Sequence, residues 1–128
     1  QGPHRVSGYV HAIADEDMAR ASTRTTGIRY IVAPSGSSPS LALTLEAARQ
    51  TAYADNPLRF AHSYGLFEPA LTLRHATIRA GWERLGGDGR HALQTPLAAL
   101  HAFNGWADKF TTTPASGLQD RYIVVNGR

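Results

Sequence analysis

Cysteine is absent from this 128-residue chain. Disulfide frameworks, cysteine-ligated zinc and thiol catalysis are therefore excluded. Lysine is nearly absent as well, with Lys109 standing alone beside twelve arginines. A guanidinium prefers planar, bidentate partners such as carboxylate and phosphate, where an ammonium acts as a point charge. Runs of like charge are also missing. Arg5, Arg20, Arg24, Arg29, Arg49, Arg59, Arg74, Arg79, Arg84, Arg90 and Arg121 are scattered, whereas a nucleic-acid face presents a basic stripe. Nucleic acid is not an expected partner. No stretch approaches the ~18 apolar residues of a membrane-crossing helix, and the opening "QGPHRVSGYV" has neither the charged lead nor the apolar centre of a secretory signal.

What is present is an ordinary globular composition, 42% hydrophobic and 18% charged, with a net charge of +3. That argues against disorder. Residues 1–4, "QGPH", resemble the remnant of a protease-cleavage site. They are set apart from a fold expected over residues 5–128, read as a segment of a longer protein.

Alternation at period two runs through most of the chain. In "RVSGYVHAIA" residues Tyr9, His11 and Ile13 alternate with Gly8, Val10 and Ala12. In "TRTTGIRYIVA" residues Thr26, Ile28, Tyr30 and Val32 share one face, and Thr25, Gly27, Arg29 and Ile31 the other. β-Branched and aromatic residues at that period predict strands. "PSGSSPS", residues 34–40, is a loop. After it, "LALTLEAARQTAYA" sets Leu41, Leu43, Leu45 and Ala47 against Thr44, Glu46, Ala48 and Gln50. Its second half also suits a helix by propensity, but the period favours strand throughout. Two further extended runs are expected on either side of Glu68-Pro69-Ala70, then a tight turn at "LGGDG", and "DRYIVVNGR" closes the chain as a final strand. The spacing predicts an all-β antiparallel meander of five or six strands. It is interrupted by one insertion at residues 93–120, where Leu97, Leu100, His101 and Asn104 after Pro96 predict a short helix.

Alternating segments joined by turns have two physical readings. In a soluble sandwich the apolar face packs inward. In an outer-membrane barrel it meets lipid while the polar face lines the lumen. Periodicity leaves both open.

The stretch "GWERLGGDGRHALQTPLAALHAFNGWADKFTTTPASGLQDRYIV", residues 81–124, is more specific. It resembles the C-terminal signature of the alginate-export-like outer-membrane porin family. Members carry "E-x-LGGDG", a "QTPLATLHAFNGWADKF" loop and "TP-x-x-GL-x-D-x-Y" before another strand. Ala99 stands where Thr is usual and Thr111 where Leu is. "SGYVHAIADED", "STRTTGIRY" and "LEAARQTAYADNP" resemble the preceding hairpins more loosely. The resemblance implies a segment of a barrel in the cell outer membrane that passes small or polymeric solutes. Its implied partners are an anionic solute or polysaccharide, outer-membrane lipid, and either the remaining strands of the parent barrel or self-association. Eight strands are the smallest membrane barrel, so six cannot enclose a channel alone.

Several constellations carry possible chemistry. Arg24, Arg29, Arg74 and Arg79 suit either an anion-selective lumen or solvated, snorkelling positions. The anion-attracting set on the porin reading is Arg29, Arg74, Arg79 and Lys109. His101, Asn104, Asp108 and Lys109 suit acid–base work, and His91 with His101 suits metal ligation, but neither grouping has the regular spacing such sites need. Phe103, Trp106 and Phe110 read better as anchors of an inward-folded loop. His101, Asn104 and Asp108 accompany them, and the Trp106 indole N–H and Asn104 amide satisfy local backbone. No catalytic role, metal or cofactor is expected. "LGGDG" lacks the Lys-Ser/Thr of a phosphate loop and is a turn in which glycine supplies positive φ. His11, His62 and His75 read as polar lumen or interface groups. The competing class is a soluble β-sandwich that binds carbohydrate by stacking sugars on Trp106, Phe103 and Tyr122. A hydrolase built on His101 and Asp108 is the third.

Overall fold

The computed structural model describes residues 3–34, 36–94 and 113–127. They form one sheet of six strands, β1 (His4–Ile13), β2 (Thr23–Val32), β3 (Ser40–Ala52), β4 (Ala61–Thr72), β5 (Ala76–Leu85) and β6 (Leu118–Gly127). Each strand pairs antiparallel with the next in chain order. The chain is an all-β antiparallel meander. A 3₁₀ turn at Ala19–Ala21 lies between β1 and β2.

β3 remains a strand through its helix-favouring half because residues from both neighbours hydrogen-bond to it along its length, and pairing overrides propensity. β1 begins one residue before the expected boundary, and the His4 ring nitrogen Nδ1 lies 2.8 Å from the Tyr30 hydroxyl. The break expected at Glu68-Pro69-Ala70 is not there. β4 runs through it, and the chain turns instead at 73–75. Proline has no N–H to give to a ladder. The β3–β4 register nevertheless continues past Leu43↔Pro69, and only the β4–β5 ladder lapses between Phe67↔Trp82 and Ala70↔Arg79. Pro69 therefore sits in an interior strand with its missing donor on the β5 side.

Successive side chains of a strand point to opposite faces, and the registers fix which residues share one. Glu46 faces the same way as Arg29, Leu66, Glu83 and Asp120. Every strand carboxylate, Glu46, Glu68, Glu83 and Asp120, lies on this polar face. The other face carries Val6, Val10, Ile28, Leu41, Phe67, Leu71, Ile78, Ile123 and Val125, all exposed; Ile123 reaches 74%.

The small core sits on the polar face at the end where β5 stops. Tyr64, Leu85 and Leu93 pack together there, with Ala48, Leu66 and Leu118 against them. The chain after β5 folds back over this end. The Leu93 N–H donates to the Gly86 carbonyl at 2.8 Å, and Gly87 and Ala92 form an isolated bridge. Gly89 in this turn has φ +87°, as the "LGGDG" reading requires. The β5–β6 connection occupies 86–117. The short-helix expectation near Pro96 lies outside the described residues.

Candidate functional site

The polar face is built from two copies of one arrangement, laid out in opposite strand order. In the first, the Tyr9 ring on β1 lies over Gly27 on β2, where an added Cβ would clash with the ring's Cζ. Its hydroxyl crosses β2 and donates to Glu46 Oε1 on β3 at 2.6 Å. Arg29, two residues beyond Gly27, places Nε 3.7 Å from Glu46 Oε2. In the second, the Tyr122 ring on β6 covers Gly81 on β5 in the same way. Its hydroxyl donates across β5 to Glu68 Oε2 on β4, and Arg79 Nε lies 3.8 Å from Glu68 Oε1.

Glycine is required at 27 and 81 because any side chain there would evict the ring. Each glutamate then accepts a hydrogen bond from a phenol and faces a guanidinium as an ion pair. The two guanidiniums remain half exposed, at 47% for Arg29 and 50% for Arg79. Between the copies, Tyr64 donates to Glu83 Oε1 at 2.7 Å in the buried part of the face.

A second feature pins the insertion to this face. The Gln50 side chain on β3 accepts from the Gln94 N–H at 2.9 Å and donates to the Gln94 carbonyl at 2.8 Å. The Gln94 side chain repeats the gesture on Thr113, donating to its carbonyl and accepting its N–H, each at 3.1 Å. Phe60 stacks on His62 at 5.2 Å and on His91 at 6.1 Å beside this hook. The residues flanking 95–112 are thus held together on the polar side of the sheet.

Compared with protein-family models, curated proteins and solved structures, the chain matches none. The resemblance to alginate-export-like porins therefore stands on the motif residues quoted above.

Of the sequence-derived site residues, Arg29 and Arg79 share the polar face, each against a glutamate. Arg74 is exposed in the β4–β5 turn, at the far end of the sheet from the hook. Arg24, grouped with them on sequence grounds, is on the apolar face, since it precedes Arg29 by an odd number of positions on one strand. Lys109, His101, Phe103, Asn104, Trp106, Asp108 and Phe110 lie outside the described residues, and so do the hydrolase pair and most of the sugar-stacking set. Tyr122, the remaining stacking candidate, has its ring over Gly81 and its hydroxyl on Glu68. His11 and His62 are on the polar face and His75 is in the β4–β5 turn. The Tyr–Gly–Arg–Glu clusters were not foreseen, although their signal is legible as a palindromic order: Tyr9, Gly27-Ile28-Arg29, Glu46, then Glu68, Arg79-Ala80-Gly81, Tyr122.

Proposed function

We propose that this chain is a segment of an outer-membrane β-barrel, with its polar face toward a water-filled passage and its apolar face toward lipid. One observation carries the reading. All four strand carboxylates lie on one face, Glu46 and Glu68 each with a phenol and a guanidinium partner, while the other exposes aliphatic and aromatic side chains along all six strands. A soluble sandwich would cover that second face with another sheet. Among the described residues nothing covers it. Lipid would, and alternation of apolar-out with polar-in is the pattern of membrane barrels.

Connection lengths agree with this reading. The connections at 14–22, 53–60 and 86–117 leave one end of the sheet, and the shorter ones at 33–39 and 73–75 leave the other, as in barrels with long outer loops and short turns. β1 and β6 each keep one unpaired edge among the described residues. Further strands of a parent barrel or a second copy would close them, because open edges are not tolerated in hydrocarbon.

The solute is an anion on this proposal, drawn by the half-exposed heads of Arg29 and Arg79. Arg5 adds a third cation to a face that also holds four carboxylates, so attraction depends on those guanidiniums and not on net charge. Reconstitution in planar bilayers tests both parts. The chain should require detergent for solubility and conduct once assembled, and Arg29→Glu with Arg79→Glu should shift selectivity toward cations. A soluble monomer that keeps its sheet signal without detergent would refute the barrel. Unchanged selectivity in a conducting variant would refute the role of the two arginines.

A further inference from the structure

At one end the charged side chains of the apolar face are arginines, with no carboxylate among them. Arg24 on β2, Arg49 on β3, Arg84 on β5 and Arg121 on β6 all lie on it, all are exposed, and no strand carboxylate shares it. The only ion pairs among the described residues, Arg29–Glu46 and Arg79–Glu68, are on the opposite face.

The registers show how these four are arranged. Arg24 pairs with Thr51 on β3. Arg84 pairs with Gly65, which pairs with Ala47. Arg121 pairs with Trp82, then Phe67, then Leu45. Traced onto β3, the arginines of β2, β3, β5 and β6 fall at positions 51, 49, 47 and 45, a descent of six residues over four strand spacings with β4 passed over. That is roughly 20 Å along the strand at ~3.4 Å per residue, against ~19 Å across four strand spacings of ~4.8 Å. The line is inclined at about 45° to the pairing direction. Membrane-barrel strands tilt by ~35–45° from the barrel axis, so a line inclined by this amount runs level around the barrel, parallel to the bilayer plane.

The geometry points to a headgroup-binding belt: Arg24, Arg49, Arg84 and Arg121 hold the phosphates of anionic lipids at the edge of the hydrocarbon. Charge complementarity and level alignment select this occupant, and guanidinium forks match phosphate oxygens two at a time. Beside Arg24 the belt opens into a groove of about 610 Å³ that Arg59, Tyr53, Asn56 and Phe60 also line. This gives one headgroup two cations, Arg24 and Arg59. The inference rests on the barrel reading and goes beyond it, since the lumen is not involved.

Partitioning of the refolded chain into phosphatidylcholine vesicles, with and without phosphatidylglycerol, tests it. Phosphatidylglycerol should tighten partitioning, less so at high salt. Replacing Arg24, Arg49, Arg84 and Arg121 by Gln should remove the gain by about fivefold per arginine, with the circular dichroism unchanged. Arg5→Gln, on the polar face, should leave it intact. Entry into neutral vesicles with no phosphatidylglycerol gain, or with a gain that survives all four substitutions, overturns the belt and leaves the barrel standing. Failure to enter either vesicle overturns both. Loss of the gain on adding glycerol phosphate would assign the arginines to free phosphate and overturn the lipid assignment.

Discussion

Gly81→Ala gives the sharpest test of how the polar face is held. A Cβ at this position would meet the Tyr122 ring well inside van der Waals contact. The ring is the movable partner, so it swings off the notch and its hydroxyl leaves Glu68. A hydrogen bond to a charged group contributes about 1.5–3 kcal/mol, and repacking a displaced ring adds about 1 kcal/mol. Gly81→Ala should therefore destabilise by about 2–4 kcal/mol, and Tyr122→Phe, which keeps the ring, by the hydrogen-bond part alone. The pair must be strongly non-additive. In a Tyr122→Ala background the notch is empty, and Gly81→Ala should cost nothing or stabilise by about 0.5–1 kcal/mol, because alanine loses less backbone entropy than glycine. Urea unfolding in detergent, followed by far-ultraviolet circular dichroism, supplies the four free energies of the cycle. A coupling of about 2–5 kcal/mol is expected. Additive effects would mean that the ring does not occupy the notch, and the clusters would lose their physical basis. Gly8, whose added Cβ would meet only the Gly27 carbonyl at 3.9 Å, is the control and should accept alanine without loss.

Other tests address the hook and its neighbouring turn. Gln50→Ala removes both bonds to the Gln94 backbone and should destabilise by about 2–3 kcal/mol. Hydrogen exchange at the Gln94 amide should accelerate by the same factor, and unchanged protection would contradict the geometry. Asp88 accepts from the Arg90 and His91 N–H groups, and the His91 bond and then the Arg90 bond hold its carboxyl below the ordinary value of 3.8. A lowered folded-state pKa stabilises above the unfolded value and is lost as pH falls through the folded one. The turn should therefore stay ordered at pH 4 and loosen only in stronger acid. A carbon-detected titration of Asp88 at or above the ordinary value would refute this. Pro69→Ala should restore a donor to the β4–β5 ladder, slowing exchange around Gly81; no slowing would mean that the donor faces elsewhere.

The strands were legible because period-two alternation is a local property. Parity alone separates Arg29 from Ile28 on β2 and Glu46 from Leu45 on β3, and the register then puts Arg29 and Glu46 on one side. The break at Pro69 was misplaced because a proline's missing N–H shows which ladder is interrupted only once its neighbours are known. The Tyr–Glu contacts skip a strand and join residues 37 and 54 positions apart, a distance set by turn lengths and register. Arg24 was grouped with Arg29 by charge where parity should have separated them. The arginine line needs four registers at once, so no single segment of sequence contains it.

The two glutamine side chains have a consequence for the chain's architecture. By gripping the main chain at Gln94 and Thr113 they close the neck of the insertion from within, independently of what the intervening eighteen residues do. The neck is a splice point: a short linker, or a foreign loop of another length, can be joined there without asking β5 and β6 to change their pairing.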